Sequence, residues 1–202
     1  MTVTDNKTGM PLEHYCAEFA KSDPLRLAER GGFILKDNTF EFALLSHRVG
    51  VTWPDMDAVD LSGGKALSPA VRILLGRLLL EGALIPGSGH FMAYSEFPWG
   101  SVYNAQFTAR CIRRMAASYG KNTEKFADAC EKLGGKRISG ADAAYELEFL
   151  PGLLIRLYLW EGDDEFPASG QILFSDNFAA AFTAEDMAVI GDTVLNALKG
   201  RM

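Results

Sequence analysis

Apolar positions along the chain fall first at helical spacing, then alternate, then return to helical spacing and alternate once more. Leu12, Tyr15, Cys16, Phe19 and Ala20 recur at intervals of three and four, an amphipathic helix with Pro11 in its first turn. Asp23-Pro24 reads as an N-cap followed by proline at N1, and Gly31-Gly32 closes that second, short helix. The period then changes to two. The segments 33–36, 40–45 and 49–53 are short β-rich runs, with Asp37-Asn38 and His47-Arg48 as turns, which predicts a three-stranded antiparallel meander. Segment 54–65, punctuated by aspartates and Gly63-Gly64, reads as a loop.

The middle of the chain is helical. Ser68-Pro69 opens a helix with Val71, Leu74, Leu75, Leu78 and Leu79 on its stripe and Gly82 at its end. After an irregular stretch, Ser101 starts a helix carrying Tyr103, Phe107, Cys111 and Met115 on one face. Asn122 or Thr123 starts the next, with Phe126, Ala129, Cys130 and Leu133, ended by Gly134-Gly135. Alternation returns at Tyr145, Leu147 and Phe149. Segment 153–160 is apolar on both faces and reads as a central strand, with a third run at 171–174. Thr183, with Asp186 three residues on, caps a last helix with Met187, Ile190, Val194 and Leu198 on one face. Strands, then helices, then strands predict a single α+β domain over 1–202. Its mostly antiparallel sheet, an N-terminal meander plus C-terminal strands, packs with a central helical block and a C-terminal helix.

Composition narrows the setting. The chain has 202 residues, 48% hydrophobic and 23% charged, ordinary values for a globular protein. Cys16, Cys111 and Cys130 form no CxxC pair, which excludes a disulfide framework and a four-cysteine cluster within the chain. Segment 1–10 lacks the basic and apolar regions of a signal peptide, and segment 71–85 is too short and too charged to span a bilayer. A cytoplasmic protein is expected, without membrane association. The net charge of −6 argues against nucleic acid as a partner.

Charge is unevenly spread. Segment 157–198 holds eight acidic residues and no lysine or arginine, so the rest of the chain is slightly basic. Glu161, Asp163, Asp164 and Glu165 crowd into five positions beyond the apolar strand. Carboxylates this close must be solvated, protonated or paired with a cation. Glu161, Asp163 and Glu165 are candidate ligands of a hard metal ion, but no defined metal-loop spacing is present, and a solvated acidic turn is the simpler explanation of the cluster. Segment 86–100 is the second candidate, with Gly87-Ser88-Gly89-His90 and the aromatics Phe91, Tyr94, Phe97 and Trp99 around Glu96. It reads either as a pocket wall for a flat molecule or as a compact loop packing its aromatics inward. Arg110, Arg113 and Arg114 form a basic helix face, with Lys121 and Lys125 beyond it. No P-loop, nucleotide fingerprint, serine elbow or histidine metal motif occurs.

Two stretches together carry a family resemblance. One runs from Glu81-Gly82 through Pro86-Gly87-Ser88-Gly89 to Glu96-Phe97-Pro98-Trp99-Gly100. The other includes Leu150-Pro151, Trp160-Glu161-Gly162-Asp163-Asp164-Glu165-Phe166-Pro167, Ile172-Leu173-Phe174-Ser175-Asp176 and Thr183-Ala184-Glu185-Asp186. Over most of its length the chain resembles an uncharacterised family of domains of unknown function from anaerobic bacteria and archaea. Some relatives carry iron–sulphur cluster domains or accompany metallocofactor proteins. The resemblance implies cofactor-related metabolism but no catalytic residues, and this chain has no such cluster domain.

Three readings follow. In the first, the protein binds a small molecule or serves a metallocofactor, with His90, Glu96, Trp99, Trp160 and Glu161 lining a hollow shared by segments 86–100 and 160–167. In the second, the acidic turn and the basic helix face are interaction surfaces, including those of a homodimer. The third is a metal-dependent enzyme, with Glu161, Asp163 and Glu165 on the ion and Glu96 or His90 as general base. No reading specifies a cofactor.

Overall fold

A computed structural model describes residues 9–201 of the chain; residues 1–8, most of the stretch read as lacking signal-peptide character, lie outside it. The fold is α+β with two antiparallel sheets, in accord with the alternation of periods along the sequence. Helix α1 (Gly9–Lys21) leads into α2 (Pro24–Gly31), where the Asp23 carboxylate accepts from the Leu25 and Arg26 N–H groups.

The first sheet has the order β1 (Ile34–Lys36), β2 (Thr39–Leu44), β3 (His47–Thr52), β4 (Ala58–Asp60). Its hairpins turn at Asp37-Asn38 and at Leu45-Ser46. All four of these residues have positive φ, and Lys36 pairs with Thr39 and Leu44 with His47, the marks of two-residue I′ turns. The second turn therefore precedes the expected His47-Arg48. Leucine is a poor residue for a left-handed turn, but the Leu45 side chain is fully buried and its N–H donates to the Phe149 carbonyl at 3.0 Å. Tertiary packing overrides turn chemistry here. The segment read as a loop supplies β4, which is too short to show alternation.

Helix α3 (Pro69–Glu81) packs on α1 and on the first sheet. The chain then forms β5 (Phe91–Ala93), a 3₁₀ turn (Tyr94–Glu96) and one long helical run. That run comprises α4 (Gly100–Phe107), a π-helical turn (Thr108–Ile112) and α5 (Arg113–Tyr119), and is followed by α6 (Thr123–Lys132). The second sheet has the order β5-β9-β8-β7-β6, from β6 (Lys136–Arg137), β7 (Ala143–Leu150), β8 (Leu153–Trp160) and β9 (Ser169–Ser175). A short helix α7 (Phe178–Ala181) and the capped α8 (Ala184–Ala197) complete the fold.

Strand β8 is central, as expected, but only one of its faces is fully buried. Leu153, Ile155, Leu157 and Leu159 point into the core, while Leu154, Arg156, Tyr158 and Trp160 are half-buried on the other face. Helical elements α5, α6 and the π turn contact the sheet, and one hydrophobic cluster runs through both sheets and the helices between them. Among the described residues no helix is long and apolar enough to cross a membrane.

Candidate functional site

The acidic connection between β8 and β9 closes over a helix rather than over segment 86–100. β5 pairs with β9 at Leu173, Phe174 and Ser175, whereas the connection leaves the sheet where Trp160 pairs with Ser169. Four residues of extended chain, roughly 13 Å, separate these points along β9. The connection and the first residues of β9 instead face α5 across a hollow of about 480 Å³. Its apolar lining includes Ile112, Ala116, Ala117, Phe166 and Pro167, and its charged lining is Arg113, Lys121 and Asp163. No residue of segment 86–100 lines it.

Local chemistry explains the shape. The Asp163 carboxylate accepts from the backbone N–H groups of Phe166 (2.6 Å) and Glu165 (2.9 Å), and the Asp163 N–H donates to the Phe166 carbonyl (2.9 Å). This small turn leaves Phe166 largely exposed beside the hollow. The end of α5 approaches closely: the Gly162 N–H donates to the Gly120 carbonyl, and a Cβ on Gly120 would stand 2.1 Å from that of Ala168. Only glycine permits that approach.

The opposite wall depends on the π turn, where the Arg113 N–H donates to Thr108, five residues back. The larger buried side chains in this run, Phe107, Cys111, Met115 and Tyr119, follow every fourth position, with the small Ala116 and Gly120 buried beside them. On a regular α-helix such a row drifts by about 40° per step, and one extra residue in the turn takes back about 100°. The strict four-residue spacing was thus the available signal for a widened turn that sequence reasoning missed. The same turn sets the direction of Arg113, Ala116 and Ala117 after it. The small residues Ala116, Ala117 and Gly120 carried no signal of their own.

The basic helix face is divided. Arg110 and Arg114 both pair with Asp192 of α8, the latter at 3.1 Å, so two of the three arginines meet the acidic segment within the fold. Arg113 and Lys121 are exposed and make no ion pair among the described residues. The hollow therefore combines an apolar lining with two cations free to meet an anion.

The candidates named from sequence are spread out, and the expected shared hollow is corrected accordingly. Glu161 accepts from the Thr123 hydroxyl (2.5 Å), and its N–H donates to Asp142 (2.8 Å). Trp160 stacks on Tyr158 with ring centroids 6.2 Å apart, on the half-open sheet face. Glu96 accepts from the Ala93 N–H (2.6 Å) and closes the 3₁₀ turn. His90 is exposed, and its carbonyl accepts from the Asp176 N–H (3.0 Å). Trp99 is 76% exposed, on a backbone with φ +65°. In the same segment Tyr94 and Phe97 are buried, Tyr94 stacked on Phe107 at 4.1 Å. That is inward packing of the loop's aromatics, with Trp99 left outside.

The proposed metal set does not converge. Asp163 is engaged by its own turn and Glu161 by Thr123, and among the described residues no group of three or more His, Cys, Asp or Glu side chains is placed to hold a metal ion. Nor do the two buried thiols suggest a nucleophile. Burial pushes Cys111 up to about 12, and Cys130 is raised further by the same cause.

The Asp163 turn makes a pH prediction. Backbone N–H groups, that of Phe166 foremost, hold the carboxylate below its ordinary value of 3.8. A carboxylate depressed in the folded state stabilises the fold above its ordinary value, and that contribution is lost as pH falls through the lower, folded one. The Glu165 and Phe166 amide resonances should accordingly shift with a midpoint below 3.8, and Asp163→Asn should abolish the shift. A midpoint at or above 3.8 would contradict the turn.

No curated protein and no solved structure matches the chain. Residues 23–197 match the model of DUF3786, a domain of unknown function, and the chain belongs to that family.

Proposed function

We propose that the protein binds a small organic anion in the hollow between α5 and the acidic connection. The ligand's apolar body contacts Ile112, Ala117 and Phe166, and its carboxylate or phosphate lies near Arg113 and Lys121. The observation that carries this reading is the pairing of an apolar cavity of about 480 Å³ with two cations, Arg113 and Lys121, that no carboxylate among the described residues engages. The volume suits a small ligand, and few polar groups in a mainly apolar lining are typical of such sites. An organic cofactor or precursor with an acidic end belongs to this ligand class, which accommodates the cofactor-related metabolism suggested by the resemblance. A binding or accessory role accounts for these groups better than catalysis, because no base and nucleophile converge there.

Anilinonaphthalene sulfonate, a flat apolar anion, tests the reading. It should bind with one-to-one stoichiometry and enhanced fluorescence. Ala117→Trp, which fills the cavity from an exposed position, should weaken binding at least tenfold. Circular dichroism should show the fold of that variant intact. Unchanged affinity in the folded variant would overturn the proposal.

A further inference from the structure

A second and larger concavity, of about 820 Å³, lies between α6 and the end of α8. Lys125 and Lys132 enter it from α6, Lys199 and Arg201 from the chain just after α8, and His47 from the start of β3. Asp128 is the one carboxylate among its lining residues. None of the four lysine and arginine side chains makes an ion pair among the described residues. Arg201 departs in this from most arginines elsewhere, which are paired, as Arg72 with Asp57, Arg77 with Asp186 and Arg156 with Glu146; lysines such as Lys36 and Lys136 also make no ion pair among the described residues. In a chain of net charge −6, four cations gathered around one cavity are a local reversal of sign.

Helix electrostatics account for only part of this cluster. Lys132, Lys199 and Arg201 follow or end helices, where the macrodipole favours cations. Lys125 does not fit. It stands in the first turn of α6, its N–H donating to the Asn122 cap at 2.8 Å, where a cation is disfavoured. Its place beside the other three is one that a shared anionic occupant would favour. The wall they face is held in shape, for the Tyr119 hydroxyl donates to the Leu198 carbonyl at 3.0 Å and ties α5 to the end of α8.

We infer that this cleft binds a small polyanion, a molecule with two or more adjacent phosphate or carboxylate groups, through Lys125, Lys132, Lys199 and Arg201. Several cations from separate elements suit several negative groups better than one, and the attraction is screened by salt. The site is independent of the apolar hollow on the other side of α5, so either can fail without the other.

Calorimetric titration of the full chain with inorganic tripolyphosphate tests this. One-site binding is expected at low salt, weakening at least tenfold between 20 and 200 mM salt, ionic strengths between which the Debye length falls from roughly 20 Å to under 10 Å. Lys125→Gln combined with Lys199→Gln should weaken it at least tenfold, whereas Lys36→Gln, on β1, should not. In the unmodified protein the amides of Ser118, Ala129 and Gly200 should shift on titration, a readout that does not depend on a variant folding. Absence of binding, shifts centred elsewhere, or equal weakening by Lys36→Gln would overturn the inference. Tighter binding of a single-stranded oligonucleotide than of tripolyphosphate would overturn the assignment to a small molecule.

Discussion

Phe174→Ala is expected to destabilise the protein by about 4 kcal/mol, a large share of the roughly 5–15 kcal/mol that holds a typical domain folded. Phe174 is fully buried on β9, paired with Ile155 of β8 and Met92 of β5. Its ring meets Phe178 at 5.1 Å, Phe107 at 5.9 Å and Phe97 at 6.2 Å. Phe107 and Phe178 cannot close the space, because each is held from another side. Phe107 stacks on Tyr94, whose hydroxyl donates to the Ala184 carbonyl, and Phe178 packs on Phe149 and Phe182. A cavity that stays open costs more than the transfer of the lost atoms alone. Phe174→Leu, which keeps most of the volume, should cost only about 1.5 kcal/mol. Urea denaturation checks both, through a lower midpoint with unchanged slope. A loss below 1 kcal/mol for the alanine variant would mean that the cluster repacks.

Asp186→Ala is the second large effect, about 3 kcal/mol. One oxygen of Asp186 accepts from the Thr183 N–H (3.0 Å) and hydroxyl (2.7 Å), closing the capping box of α8. The other meets Arg77 of α3 at 2.9 Å, with both side chains largely buried. Removing the carboxylate breaks the reciprocal half of the capping box, leaving the Thr183 hydroxyl as cap, and leaves the Arg77 guanidinium with weaker partners, Glu81 at 3.9 Å and the Thr183 hydroxyl at 3.5 Å. The pair itself need not be strongly stabilising. The cost lies in stranding one charge where water is scarce. The melting temperature should fall by about 6–12 °C in a chain of this size. Converting Arg77 to Met as well should restore part of the loss, and a double-mutant cycle would give the coupling. Strictly additive losses would show that the two side chains do not interact.

The two predictions differ in how visible they were. Asp186 was legible as the partner of Thr183, because a capping box is local and its members lie three residues apart. Its pairing with Arg77 was not, since 109 positions separate them and nothing in either neighbourhood marks the other. The same division holds at the candidate sites. The acidic run and the basic helix face were evident from spacing alone. Which arginine meets which acid was settled by the approach of α8 to the π turn, which assigns Arg110 and Arg114 to Asp192 and leaves Arg113 to the hollow.

Local order of this protein is written in its sequence. Helix stripes, the Asp23, Ser68 and Thr183 caps, and the alternating strands all arise from interactions within a few residues, so their period and chemistry are readable in one dimension. Tertiary structure alone decided the left-handed Leu45, the half-open second face of β8, and the partner of the acidic connection. Each of these is a choice among neighbours distant in sequence. It depends on whether a glycine such as Gly120 lets two backbones approach, and on which oppositely charged group lies within a few ångströms once the core has closed.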